Sequence, residues 1–353
     1  MRAAVLRAYG EPLDVTDVEA PGPDPDGAVV AVEACGVCRS DWHAWHGHGE
    51  WIGSKPPLDF VLGHEPAGRV VAVGDDVERV SEGDRVAVPF NLGDGSCPMC
   101  RRGHTNVCEN IKALGFTAET PGAFAEEVHV PNADTNAVTL PDGVSFVDMA
   151  SLGCRFVTAF HALAHRADVS AGDWVSVHGC GGVGLSAVHI ADALGANVVA
   201  VDLKDEKLDK AESLGADATV RADETEAYKA VMSATDGGAH VSMDALGIAE
   251  TTQQSVRSTR VRGTHVQVGL TGEAERGIVD LPTDLMTVKE VSFVGSHGMP
   301  ATRYDELFRM VETGAVDPGS VVSEAVGLDD VTAKLQAMTD YDTVGIPVVT
   351  EFA

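Results

Sequence analysis

Over residues 1 to about 150, apolar positions come in short runs: Ala28–Glu33, Gly68–Val73, Asp84–Val88 and Phe124–Val130, with Gly, Pro and Asp turns between them. Runs of this length and alternation predict β-strands in a small irregular barrel. The pattern changes after Pro141-Asp142-Gly143. From about 156 to 294, strands alternate with helices. Trp174–His178 reads as a strand, Leu185–Leu194 as a helix, Val198–Val201 as a strand, and Asp205–Leu214 as a helix closed by Gly215. Val241–Ala245, His265–Val268 and Ser292–Val294 read as later strands. That alternation predicts a doubly wound parallel sheet. The tail is mixed, with helices near Tyr304–Thr313 and Leu328–Met338 and a closing strand Ile346–Thr350.

The first strand of the alternating region runs into Gly179-Cys180-Gly181-Gly182-Val183-Gly184 and then an apolar helix. Glycines at 179, 181 and 184 let the backbone approach a pyrophosphate at the helix N-terminus, with Gly182 and Val183 between them. The next strand ends in Asp202, placed to accept hydrogen bonds from both adenosine ribose hydroxyls. An acid there favours NAD, because it repels a 2′-phosphate. Lys204 and Lys207 follow at once and could pair with that phosphate, so NADP stays open. Cys180 and His178 read as packed residues of the turn and strand.

Charge changes the picture of the surface. Asp plus Glu total 54 against 25 Lys plus Arg, a formal net charge of -29, and the acids are spread over loops and helix faces. Such a surface repels nucleic acid and anionic membrane, so neither is expected as a partner. Concentrated salt would screen the self-repulsion, which points to a halophile. The N-terminus shows no cleavable leader and no apolar run approaches the ~18 residues of a membrane span, so a cytoplasmic protein is expected. Seven cysteines, an odd number, argue for metal or catalytic use over a disulfide framework.

Three segments offer metal ligands: Cys35-Gly36-Val37-Cys38-Arg39-Ser40-Asp41-Trp42-His43, Gly63-His64-Glu65-Pro66-Ala67-Gly68, and Ser151-Leu152-Gly153-Cys154. Two thiolates and one imidazole would leave a tetrahedral zinc one open position, as catalysis requires. On these segments, and on Gly63-His64-Glu65-x-x-Gly68 with Gly74 and Val77 in register, the chain resembles the zinc-dependent medium-chain alcohol dehydrogenases, above all those of halophilic archaea.

The resemblance runs end to end. It implies a GroES-like catalytic domain over 1–155, completed by 295–353, and a Rossmann coenzyme domain over 156–294. It implies Cys38, His64 and Cys154 as zinc ligands, with Glu65 able to approach the metal and Asp41 behind His64. It gives Ser40 the substrate hydrogen bond, His43 the far end of a proton relay, and Arg39 a contact to the cofactor pyrophosphate. Phe90 and Leu270 match positions lining the substrate or nicotinamide pocket. The basic residue that the family often carries near its closing strand is missing at Gly345-Ile346-Pro347.

Asp94-x-x-Cys97-x-x-Cys100-x7-Cys108 has the spacing of the family's structural-zinc lobe, with Asp94 where a cysteine is usual. Zinc accepts a carboxylate oxygen, so a site of one carboxylate and three thiolates is chemically reasonable, and weaker than one of four thiolates. Trp42, Trp45 and Trp51 read either as loop packing or as an aromatic wall of a substrate pocket. Cys35 reads as core, His46 and His48 as solvated loop residues, and His161 and His165 as a surface or interface helix pair. The expected activity is interconversion of alcohols with aldehydes or ketones using NAD or NADP, in a homodimer or homotetramer. The alternatives are a polyol or sugar dehydrogenase on the same scaffold and a zinc-free nucleotide-binding protein.

Overall fold

The computed structural model describes residues 1–339 and 343–353. The chain divides into two compact units, Met1–Val157 with Gly298–Ala353, and Thr158–His297.

The first unit is built on a curved sheet. Its strands run in the order Val138–Thr139, Arg85–Ala87, Pro66–Val73, Ala28–Gly36, Ile346–Glu351 and Val322–Gly327, and Glu127–Val130 also pairs with Ala28–Gly36. The last two of the path are parallel, while their neighbours pair antiparallel. The tail thus completes the sheet begun by the N-terminal region. A smaller sheet joins Arg2–Leu6 with Asp14–Asp17 and Phe60–Val61. Leu6, Val30, Leu62, Phe124 and Val349 sit in the core between them, all almost fully buried. Alternation of buried and exposed positions marks strands with one wet face.

The second unit is a six-stranded parallel sheet. Its order is Ala218–Arg221, Asn197–Asp202, Trp174–His178, Ala239–Asp244, Thr259–Gln267 and Ser292–Gly295. This is the 3-2-1-4-5-6 order of a dinucleotide-binding fold, whose ligand crevice lies outside the carboxyl ends of the central strands. Val175, Val177 and Val198 to Ala200 are fully buried, as expected of strands covered on both faces. Ser176, His178, Ser242 and His265 are buried on the same strands and hydrogen-bond to helix residues Ser255 and Ser258 and to Thr259. Patterning missed the four-residue strand Ala218–Arg221, which is short, and the helix Ala249–Ser258, whose buried face is mostly Thr and Ser.

Candidate metal centre and dinucleotide site

The metal centre is assembled from three places in the first unit. Cys38 caps the short helix Arg39–Trp45, and its N–H donates to Asp41 Oδ2 at 2.9 Å. The other oxygen of Asp41 accepts from His64 Nδ1 at 2.7 Å. One buried carboxylate therefore fixes both the helix start and the His64 tautomer, leaving Nε2 as the lone-pair atom. That Nε2 is buried and has no hydrogen-bond partner among the described residues. Cys154 enters from a distorted helix beginning at Phe146, where Gly153 departs far from helical geometry. Ser151 anchors this segment through Asp148 O at 2.7 Å and Pro318 O at 3.1 Å.

Ligand atoms of Cys38, His64, Glu65 and Cys154 all lie within 4.8 Å of one another, and the four residues are buried. The Cys38 thiol is pulled well below its ordinary value, first by the hydrogen bond it shares with Cys154, then by Arg155 and His64 against the effect of burial. Cys154 is pushed up by the same shared hydrogen and by burial. Burial opposes a charge on His64, but Asp41 and Cys38 outweigh it and hold it well above its usual value. A divalent ion would displace these protons. Once its second proton is displaced, Nε2 of His64 offers a lone pair within 4.8 Å of two thiols that already compete for one proton, a donor set that fits zinc.

Glu65 is pushed up to about 7, mainly by burial. Its Oε1 accepts from Cys154 N at 2.8 Å, and its Oε2 is paired with Arg155. Arg155 escaped the sequence reading, although a charge inside the apolar stretch Leu152–Phe160 was a signal. Phe116 also escaped it. Its ring lies 5.1 Å from that of His64, and the ring of Phe90 lies 5.8 Å away, nearly perpendicular.

Ser40 Oγ is 3.8 Å from Cys38 Sγ, which places its hydroxyl beside the ligand set. His43 is half-buried and pushed down to about 4, first by burial and then by Arg39 and His48. Arg39 donates to the Met338 carbonyl and stacks over Trp42 with a 4.0 Å separation. The tryptophans divide. Trp45 is buried in the hydrophobic core, with its N–H on Glu11 O at 2.5 Å, which favours the packing reading for this residue. Trp42 is half-buried and donates to Thr339 Oγ1 at 3.0 Å, and Trp51 lies half-buried in a short turn.

His46 lies in the turn after the helix Arg39–Trp45 and His48 in the loop beyond it; both are half-buried, and their rings gather around Trp42. His161 is 8% exposed, so it is a core residue and not a surface one, and its Nδ1 lies 3.1 Å from that of His165.

The second cluster brings Asp94, Cys97, Cys100 and Cys108 within the same 4.8 Å limit. Backbone N–H groups of Cys100 and Glu109 point at Cys97 Sγ at 3.4 and 3.5 Å, and those of Asp94 and Asn110 point at Cys108 Sγ at 3.4 and 3.3 Å. Such donors favour the thiolate, the form that ligates zinc: they pull Cys97 below its ordinary value, whereas burial outweighs them at Cys108 and also pushes Cys100 up. Asn110 Nδ2, with the N–H groups of Cys97 and Ser96, holds Asp94 well below the usual carboxylate range.

In the second unit, Gly179 adopts φ +93°, and a Cβ at Gly184 would overlap the Gly179 carbonyl, so the turn demands both glycines. A Cβ at Gly181 would meet nothing within 4 Å. The helix Gly182–Ala193, which contains Val183, begins there without a side-chain cap. Open space over uncapped N–H groups suits a pyrophosphate. Asp202 Oδ2 accepts from Cys180 N at 2.7 Å, and Oδ1 accepts from Leu203 N at 2.8 Å and Lys204 N at 3.1 Å. Lys207 is 6% exposed, and its charge favours the thiolate of Cys180 in the glycine turn. Leu270 is exposed.

Comparison with known proteins follows the same division. Residues 24–142 match the alcohol dehydrogenase GroES-like domain, and residues 182–313 match the zinc-binding dehydrogenase family. An alcohol dehydrogenase of Geobacillus stearothermophilus is 34% identical over 334 residues, covering 94% of this chain and 95% of that protein. A NAD-dependent alcohol dehydrogenase of Sulfurisphaera tokodaii is 32% identical, covering 99% of each. The solved alcohol dehydrogenase of the hyperthermophilic archaeon Aeropyrum pernix superposes with a TM-score of 0.88 at 31% identity, covering 99% of this chain and 100% of that one.

Proposed function

Because the chain belongs to the zinc-type medium-chain alcohol dehydrogenase family, we propose that its Cys38, His64 and Cys154 hold a catalytic zinc and that its second unit binds NAD for hydride transfer to and from small alcohols. The observation that carries this reading is the buried, unpartnered Nε2 of His64 between two thiols. When bound, zinc supplies the Lewis acidity that makes an alcohol acidic near neutral pH, and the nicotinamide accepts the hydride.

The chain's own residues do the rest. Asp41 holds His64 in the tautomer that offers Nε2. Ser40 takes the alcohol proton through its hydroxyl. His43, held neutral by burial, receives it on the way to solvent. Phe90 and Phe116 make the surroundings of His64 apolar, which favours a small or aromatic alcohol over a hydrated sugar. The glycine turn and Asp202 hold the pyrophosphate and the adenosine ribose, with Lys204 and Leu270 at the rim of the site and Arg39 contributing charge. Asp94, Cys97, Cys100 and Cys108 hold a second, structural zinc. The segments expected from the sequence, 1–155 with 295–353 and 156–294, act as catalytic and coenzyme domains.

The deciding experiment measures NAD and NADP reduction with ethanol, propan-2-ol, benzyl alcohol and glucose in concentrated potassium chloride, before and after chelation. Chelator-sensitive turnover on alcohols is expected. Turnover on glucose alone moves the enzyme to the sugar branch. The net charge of -29 supports a salt-adapted enzyme, whose melting temperature rises from dilute buffer to molar chloride. Seven free thiols fit a reducing, cytoplasmic setting, and no helix among the described residues is long and apolar enough to cross a membrane. The strand Ser292–Gly295 has a single pairing partner among the described residues and exposes Phe293, which supports a homodimer or homotetramer joined at that edge.

A further inference from the structure

Glu65 reaches the same small volume as Cys38, His64 and Cys154, so the site contains a fourth potential ligand. Four protein ligands would close a tetrahedral zinc and leave no position for an alcohol. Yet both Glu65 oxygens are engaged. Oε1 accepts from the Cys154 N–H at 2.8 Å, and Oε2 is paired with Arg155 Nη2. Arg155 is itself almost fully buried, and its Nη1 donates to the Val37 carbonyl at 3.1 Å, one residue before the first thiol ligand. The guanidinium thus bridges the Cys38 segment, the Glu65 carboxylate and its own neighbour Cys154.

Two glycines make room for this arrangement. A Cβ at Gly36 would overlap Glu65 Oε2 and come 2.9 Å from Arg155 Nη2, and one at Gly153 would come 2.6 to 2.9 Å from the Glu65 side chain. The space reserved for the pair is therefore built by backbone on both sides. A buried carboxylate facing a metal needs a strong competitor to stay away from it, and a planar guanidinium fork with a fixed second anchor is one.

We infer that Arg155 is a positioning residue, which keeps the fourth coordination position open by clamping the Glu65 carboxylate off the metal. This rests on the zinc reading of Cys38, His64 and Cys154. The chain's approach to the metal is then governed by a competition for one carboxylate, decided by a residue adjacent to a ligand.

The test uses the full-length protein with cobalt(II) in place of zinc, read by its visible absorption and by the response to added imidazole. Difference spectra between variants cancel any signal from the Asp94 cluster. In the unsubstituted protein, imidazole should perturb the d–d bands, and Glu65→Gln should leave them where they were. Arg155→Met should shift the bands and abolish the imidazole response, because Glu65 takes the open position. Arg155→Met with Glu65→Gln should restore the response. If Arg155→Met does not fold, Arg155→Gln, which keeps a donor toward the Val37 carbonyl, carries the same expectation. An Arg155 variant whose spectrum and imidazole response match the unsubstituted protein overturns the inference, as does a shift caused by Glu65→Gln alone. A cobalt protein with no thiolate charge-transfer band sensitive to Cys38→Ala overturns the zinc reading itself, and the inference with it.

Discussion

The Nδ1 atoms of His43 and His48 lie 3.2 Å apart, so one imidazole donates to the other. If His43 is to accept a proton through Nε2, its Nδ1 carries the hydrogen and His48 accepts it. Burial, helped by Arg39 and His48, pushes His43 down to about 4, so it stays neutral and able to accept a proton throughout the neutral range. Replacing His43 by Gln should lower kcat for alcohol oxidation roughly 10²-fold, the scale of a lost acid–base group, with bound zinc unchanged. His48→Ala should cost less and leave the Michaelis constant for alcohol unaltered. Steady-state kinetics alongside metal analysis checks both, and full activity of His43→Gln would remove it from the relay.

Asp94 differs from its three partners in offering a hard oxygen to a soft cluster. Asp94→Ala should lower zinc content from two ions per chain toward one while the Cys38 centre keeps its own. Asp94→Cys should slow the loss of the second ion to a chelator. Metal analysis by mass spectrometry after timed chelation reads both effects. One zinc per chain in both the unsubstituted protein and Asp94→Cys would mean that the loop does not bind zinc.

The parts of the site that sequence disclosed are those in which chemistry restricts residue type at fixed spacing. Cys38, His64 and Cys154 were legible because few side chains ligate zinc, and Gly179 and Gly184 because few backbones fit that turn. Arg155 was not, because its role depends on Glu65, which lies 90 residues away along the chain. His48 is a loop residue, and its partial burial was not legible because a seven-residue helix and the turn after it carry no periodicity to signal it. Lys207 follows Asp202 closely in sequence, but its burial by the helix Asp205–Ser213 is not legible from that spacing. The parallel sheet was legible from its alternating strand and helix patterns. The polar residues Ser176, Ser242 and His265 inside its strands obey no such pattern, because they satisfy one another within the core.

That buried network sets an acid limit. Burial pushes both His178 and His265 down to about 4. Above pH 6.5 neither group contributes. As pH falls from 6.5 toward 4 the unfolded chain binds protons that the folded chain does not, so stability declines, by about 3 kcal/mol per group at the lower end. His265→Gln should flatten this decline. Urea melts between pH 7 and 4.5 at fixed chloride concentration measure the slope. An unchanged slope would assign acid lability to other groups.

Asp202 controls the adenosine end of the cofactor through a carboxylate held by three backbone N–H groups. Those donors fix its position and take three of its roughly four lone-pair sites, leaving one on Oδ2 for a ribose hydroxyl. Removing it has two consequences for NAD: the loss of charge-assisted hydrogen bonds worth about 1.5–3 kcal/mol each, and a glycine turn that loses its anchor at Cys180. Asp202→Ser should therefore lower kcat/KM for NAD roughly 10- to 100-fold. For NADP the removed negative charge offsets the lost anchor, and Lys204, whose backbone N–H already touches the carboxylate, is the nearest cation in sequence. The ratio of NADP to NAD efficiency should rise by at least the factor lost for NAD. Because molar chloride weakens the repulsion between Asp202 and a 2′-phosphate, the unsubstituted enzyme should discriminate against NADP more strongly as salt is lowered. Measuring the ratio for both proteins at two chloride concentrations separates the roles. A ratio insensitive to both the substitution and the salt would place cofactor choice elsewhere in the second unit.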